Sequence, residues 1–172
     1  MNVEVEIVRE AGQEIVEAFG RLLPQLSSSA KPLDREAVDR IVACDANTVL
    51  VARAEAGGEI VGTLTLLLVP VPSGLRARIE DVVVDEVARG QGIAAALTQE
   101  ALRLAREAGA GTVDLTSRPA REAANRLYER LGFEARESTV YRFSMSAPKR
   151  RPAAIDRMRR MIAEGTADPS AE

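Results

Sequence analysis

The sequence predicts a mixed α/β domain: a mostly antiparallel central sheet of about seven strands, flanked by about four helices, with one parallel strand pair. Three observations carry this. The runs Thr48 to Ala54, Glu59 to Val69 and Ala77 to Asp85 are separated only by Glu55-Ala56-Gly57-Gly58 and by Pro70-Val71-Pro72-Ser73-Gly74, which is the spacing of hairpins in an antiparallel meander. Helical periodicity from Gly92 to Ala108 leads directly into a short β-like run, Thr112 to Thr116. A strand, helix and strand of this length make a right-handed crossover between parallel neighbours.

Each element has its own signal. Val3 to Val8 alternates apolar and acidic residues as a half-buried strand does. Gln13 to Leu23 switches to helical spacing with Ile15, Val16, Phe19, Leu22 and Leu23, and Pro24 is expected to stop that helix. A second helix is expected from Asp34, its N-cap, to Cys44, with Cys44 a buried and inert thiol. The long helix from Gly92 ends at Gly109. Pro119 to Leu131 reads as a fourth helix capped by Gly132, and Phe133 to Arg136 with Val140 to Met145 as a final β pair. Residues 1–147 therefore form the domain. Residues 148–172 are a basic C-terminal extension, partly helical (Ala153 to Ala163) or disordered.

Composition excludes much chemistry. A chain of 172 residues, 46% hydrophobic and 28% charged, is ordinary for one soluble domain. With no histidine and one cysteine it has no Ser-His-Asp or Cys-His arrangement, and no metal site is expected. Residues 1–147 hold 17 basic against 22 acidic side chains, and the chain has five aromatic residues, which argues against nucleic-acid partners. The charged N-terminus and the shortness of the nearly uncharged run Ile60 to Leu75 argue against a signal peptide and a membrane span, so the cytoplasm is the expected compartment.

The most informative stretch follows the third meander strand: Val82, Val83 and Val84 lead into Arg89-Gly90-Gln91-Gly92-Ile93-Ala94 and then a helix. A glycine-spaced turn opening into a helix leaves the first helical N–H groups without intrahelical partners, at an end carrying about half a positive charge. That is a site for a phosphate or diphosphate. Further on, Asn125 and Tyr128 stand three apart and share a helix face, beside the apolar stripe of Ala124, Leu127 and Leu131.

Together, the order of elements over residues 3–146, the Arg89–Ala94 turn and Asn125-Arg126-Leu127-Tyr128-Glu129-Arg130-Leu131-Gly132-Phe133 resemble the GCN5-related N-acetyltransferase (GNAT) family. The resemblance implies acetyl-CoA as cosubstrate in a cleft between the parallel strands, its pyrophosphate on Arg89, Gly90, Gln91, Gly92, Ile93 and Ala94. Its pantetheine arm would pair with the backbone of Val82, Val83 and Val84. Asn125 would hydrogen-bond the coenzyme, and Tyr128 would be the general acid for the departing thiolate. The acceptor would be an amine, on a small molecule or a protein, attacking directly in a ternary complex; a homodimer is compatible with the family.

Such an amine must lose a proton, which at pH 7 costs a lysine-like ammonium about 4–5 kcal/mol. Glu80, just before the pantetheine-pairing residues, is the first candidate base by resemblance. Asp81 is the alternative, because a one-residue register change or bulge swaps which carboxylate faces the cleft, and by resemblance water alone is the third. Two rival readings follow from the same residues. A silent member of the fold would bind acyl-CoA without catalysis. A dinucleotide-binding domain would use Gly90-Gln91-Gly92-Ile93-Ala94-Ala95 with Asp114 about 20 residues on, but an antiparallel meander precedes the turn where that fold needs a first parallel strand.

Overall fold

In the computed structural model, which describes residues 3–145, strands β1 (Glu4–Ile7), β2 (Asn47–Arg53), β3 (Ile60–Val71), β4 (Gly74–Val84) and β5 (Val113–Asp114) form one sheet in the order β1-β2-β3-β4-β5. The first four are antiparallel in sequence, and β4 and β5 are parallel. The helices are α1 (Gln13–Leu26), α2 (Arg35–Val42), α3 (Ile93–Glu107) and α4 (Glu122–Arg130). The meander and crossover are thus as the sequence predicts. A single parallel pair behind a meander is not a doubly wound dinucleotide-binding sheet.

The sheet buries both faces. On one, Leu50, Leu64, Leu66 and Ile79 pack against Ile93, Leu97 and Ala101 of α3. On the other, Val49, Val51, Ile60 and Val83 meet Phe19 and Leu22 of α1 and Val38 of α2. Arg53 ties α1 to the sheet from a nearly buried position. Its guanidinium donates to both carboxylate oxygens of Glu14 at 2.6 and 2.9 Å, to Glu6 at 3.1 Å and to the Gly58 carbonyl, satisfying the charge that burial would otherwise penalise.

Several boundaries differ from expectation. The helix α1 runs through Pro24 and ends two residues later at Leu26, with the N–H of its C-cap Ser27 on the Leu23 carbonyl, so the proline interrupts only the last turn. Asp34 caps α2 as predicted, its carboxylate accepting from Ala37 N–H at 2.8 Å, but the helix ends at Val42. Cys44 therefore leaves the apolar stripe and is exposed, not buried. Val71 pairs with Gly74, so Pro70 and Pro72 sit at the closed end of a tighter hairpin than predicted, with Gly74 at φ +120°.

The seven-strand expectation becomes five among the described residues. Phe133–Arg136 and Val140–Met145 form no strands. The chain divides into two compact units, residues 1–135 and 136–172, so this expected pair straddles the division. In the second unit Val140, Tyr141, Phe143 and Met145 are all exposed, and without a buried face the apolar alternation has nothing to hold a hairpin together. The expected helix Ala153 to Ala163 lies outside the described residues. No helix among the described residues is long and apolar enough to cross a membrane.

One contact seats the helix that carries the glycine turn. A Cβ on Gly62 of β3 would lie 2.8 Å from Ile93 Cγ2, 3.2 Å from Leu97 Cδ1 and 3.3 Å from the Val83 carbonyl. Gly62→Ala is expected to cost about 1–3 kcal/mol by overpacking α3 against the sheet. Urea denaturation checks this, and a variant as stable as the parent would show that α3 shifts freely.

Candidate functional site

Strands β4 and β5 pair at Ala77 with Val113 and Arg78 with Asp114, and just before them Gly111 N–H donates to the Leu75 carbonyl at 2.9 Å. Beyond Arg78, β4 continues six residues to Val84 with no partner on that edge among the described residues. Val82, Val83 and Val84, the predicted pantetheine-pairing residues, lie on this open stretch. Arg78 marks the point of divergence: its guanidinium donates to Glu80 on its own strand and to Thr116 Oγ1, just past β5, at 2.8 Å. Below that clamp the strands are hydrogen-bonded; above it they part.

At the top of β4 the chain makes a single 3-10 turn, Glu86–Ala88, and then the glycine turn. Asp85 accepts from Val87 N–H at 3.2 Å, and Gln25 at the end of α1 accepts from Glu86 N–H at 3.0 Å, so the approach to the turn is fixed from both sides. Gly90 and Gly92 take φ of +79° and +82°, which only glycine adopts without strain. The first backbone bond of α3 is Ala96 N–H to the Gly92 carbonyl at 3.0 Å. Among the described residues, the amides of Gly90, Gln91, Gly92, Ile93, Ala94 and Ala95 donate to no protein acceptor. Free donors at a helix N-terminus fit a diphosphate.

A bulge in β4 organises the other end of the open stretch. The register with β3 slips between Thr63 opposite Val83 and Thr65 opposite Glu80, and Asp81 takes φ +51°, a left-handed conformation that aspartate tolerates better than most residues. Side-chain parity changes there. Ala77 and Ile79 face the α3 core, yet past the bulge Val82 and Val84 face it and Val83 turns to the α1 side. Glu80 and Asp81 consequently both line one cavity of about 270 Å³ beneath α1 and α2. The sequence posed a choice between the two carboxylates; the bulge brings them together. Partial withdrawal from water, and then the negative charge of Glu80, push the Asp81 carboxyl above its ordinary pKa. A second cavity, of about 300 Å³ between α1 and the β2–β3 turn, has Glu14 paired with Arg53 and Glu59 with Arg21, and none of the predicted site residues lines it.

On α4, the Tyr128 ring packs edge-on against Phe133 with centroids 5.8 Å apart, and burial pushes the phenol pKa up, opposed by the charge of Arg121. Asn125 turns its amide nitrogen back to the carbonyls of Arg118 at 3.1 Å and Pro119 at 3.4 Å, so its donors hold the β5–α4 loop and Oδ1 is left as its outward acceptor. In that loop, Ser117 Oγ is shielded from solvent without a hydrogen-bond partner. Neither Ser117 nor the Arg78 clamp was singled out from sequence; a serine in a polar loop and an arginine on a strand carry no local signal.

The geometry is that of an acyltransferase fold: parted parallel strands, a diphosphate-ready turn and carboxylates at a bulge between them. The chain belongs to the acetyltransferase (GNAT) family, whose sequence model matches residues 14–133. Among solved structures it is similar to a Trypanosoma brucei acetyltransferase, with TM-score 0.69, 28% identity, and coverage of 83% of this chain and 100% of that one. It shares its fold with an aminoglycoside acetyltransferase from an uncultured soil metagenomic sample, with TM-score 0.72, 21% identity, and coverage of 83% and 95%. A segment of 83 residues is 39% identical to rat N-acetyltransferase 8, covering 47% of this chain and 37% of that protein.

The raised pKa of Asp81 has a stability consequence. The folded state holds this proton more tightly than the unfolded chain, so stability declines as pH rises from the ordinary aspartate value of 3.8 through the raised one. Carboxyl NMR titration is expected to place the Asp81 midpoint above 3.8, and Glu80→Gln should lower it. A midpoint at or below 3.8 in the parent would refute the crowding of these two groups.

Proposed function

We propose that this chain is an N-acetyltransferase that moves the acetyl group of acetyl-CoA to a primary amine by direct attack in a ternary complex. The observation that carries the reading is the set of unbonded amides from Gly90 to Ala95 at the head of an open β4 edge, in a chain of the acetyltransferase family. Acetyl-CoA, when bound, supplies an acetyl thioester. The amides of Gly90, Gln91, Gly92, Ile93 and Ala94 hold its diphosphate, with Arg89 adding charge, and the edge of Val82, Val83 and Val84 pairs with its amide-bearing arm. Asn125, through Oδ1, offers that arm an acceptor.

The amine enters from the cavity holding Glu80 and Asp81. As an ammonium it is attracted there, and one carboxylate takes a proton from it, freeing the nitrogen lone pair to attack the acetyl carbon. As the new C–N bond forms and the C–S bond breaks, Tyr128 gives its phenolic proton to the leaving sulfur. The second amine proton passes through solvent to the phenolate, and the carboxylate releases the proton it took to solvent. The products are an N-acetylated amine and the free thiol, and no redox partner is required. Burial raises the Tyr128 pKa, which keeps the phenol protonated across the neutral range but makes it a weaker acid, so its donation depends on the basicity of the leaving thiolate. A silent acyl-CoA-binding protein would share the turn and the edge but would not need the carboxylate pair.

In the expected outcome, CoA and acetyl-CoA raise the melting temperature and NADH does not, since a ligand bound only by the folded state stabilises it. Tyr128→Phe lowers kcat for thiol release about 100-fold with the CoA-induced melting shift retained. Stabilisation by NADH alone would overturn the coenzyme assignment, and an unchanged kcat would remove Tyr128 from the reaction.

A further inference from the structure

The cavity that holds Glu80 and Asp81 has both carboxylate and apolar walls, and these narrow the acceptor beyond an amine. Its apolar lining is Phe19 and Leu23 of α1, Leu33 before α2, Ile41 of α2 and Leu67 of β3. Four of these, Leu23, Leu33, Ile41 and Leu67, are only half-buried by the protein itself, leaving carbon surface facing the space. The polar wall residues are mostly spoken for. Thr63 Oγ1 donates to the Leu50 carbonyl at 2.8 Å and Asn47 Nδ2 to the Ile41 carbonyl at 3.0 Å, so besides the carboxylates the wall offers a polar group only Thr65, opposite Glu80 in the β3–β4 register, and the remaining oxygen of Asn47.

From this arrangement, and resting on the acetyl-transfer reading above, we propose that the acceptor is a small monoamine carried on a compact apolar body, of the arylalkylamine or alkylamine class. Its ammonium sits against Glu80 and Asp81 while its hydrocarbon part fills the space between α1, α2 and β3. The size agrees. At about 30 Å³ per water-sized group, the cavity takes on the order of nine such groups, close to the non-hydrogen atoms of 2-phenylethylamine. A second ammonium away from the carboxylates would lie against leucine and phenylalanine, with no further carboxylate among the cavity's lining residues. The hydroxyls of an amino sugar would likewise lose water and gain few partners.

The test is steady-state thiol release from acetyl-CoA by the full chain with 2-phenylethylamine, n-hexylamine, 1,6-diaminohexane, an aminoglycoside and a lysine-containing peptide, run beside melting curves in CoA. The expected kcat/KM for the two monoamines is at least about tenfold above that for the diamine, because the added charge meets no partner. Each methylene removed from the alkylamine lowers it about fourfold. Leu33→Asn lowers kcat/KM for 2-phenylethylamine about tenfold while the CoA-induced melting shift stays intact.

Equal or faster turnover of the diamine, the aminoglycoside or the peptide overturns the inference and leaves acetyl transfer standing. If CoA raises the melting temperature but 2-phenylethylamine neither reacts nor adds to that rise, the inference also falls. If it adds to the rise without being acetylated, the pocket assignment holds and the catalytic reading fails. No stabilisation by CoA, with no acetylation of any amine, sinks both.

Discussion

The site depends on β4 having two different edges and two different parities. A strand in a continuous sheet would spend both edges on its neighbours and alternate its side chains without a break. Here the β3 edge is paired along most of its length while, among the described residues, pairing on the β5 edge stops at Arg78, and the bulge at Glu80 and Asp81 inverts the alternation partway along. The open edge leaves backbone groups for a ligand. The inversion keeps Val82 and Val84 in the α3 core while delivering two consecutive carboxylates to the opposite face.

The two halves of the site are held by different forces. The glycine turn is positioned by packing: Gly62 lets Ile93 and Leu97 lie close on β3, which places the first amides of α3 at the end of the open edge. Polar contacts refine it, with Gln25 and Asp85 orienting the chain just before the turn. The carboxylate end is instead bounded by α1 and α2, whose apolar faces cover the sheet but stop short of filling the space beside β3. A closely packed floor and a loosely packed pocket in one sheet are what the proposed coenzyme and acceptor would require.

What could be read from the sequence follows from how local each signal is. The meander, the crossover and the glycine turn are written in short spans: β-branched runs, glycines at 90 and 92, and a helix-forming stretch after them. The bulge is not, because it results from Thr63 to Thr65 and Glu80 to Val83 settling into register, and nothing in either run alone reveals the slip. The same limit explains Cys44 and Pro24. Periodicity counts residues along an ideal helix, whereas α2 stops two residues short of Cys44 and α1 tolerates a proline in its last turn. Ser117 and Arg78 matter only because the strands part between them, a long-range event.

The bulge also suggests a division of labour between its two carboxylates. Arg78 holds Glu80 in an ion pair and is itself held by Thr116, so the Glu80 carboxylate is fixed in place by a cation that bridges toward β5. Asp81 has no such partner among the described residues, and partial burial, with the negative charge of Glu80 adding to it, makes its carboxyl more proton-avid than an ordinary aspartate. In the proposed reaction the fixed carboxylate attracts and orients the ammonium, and the freer one is better suited to accept its proton. A base grows stronger as its pKa rises toward the working pH, so the charge of Glu80 would serve catalysis twice: on the substrate, and on Asp81. That coupling requires adjacent residues on one face, which an unbroken strand forbids and a one-residue slip provides.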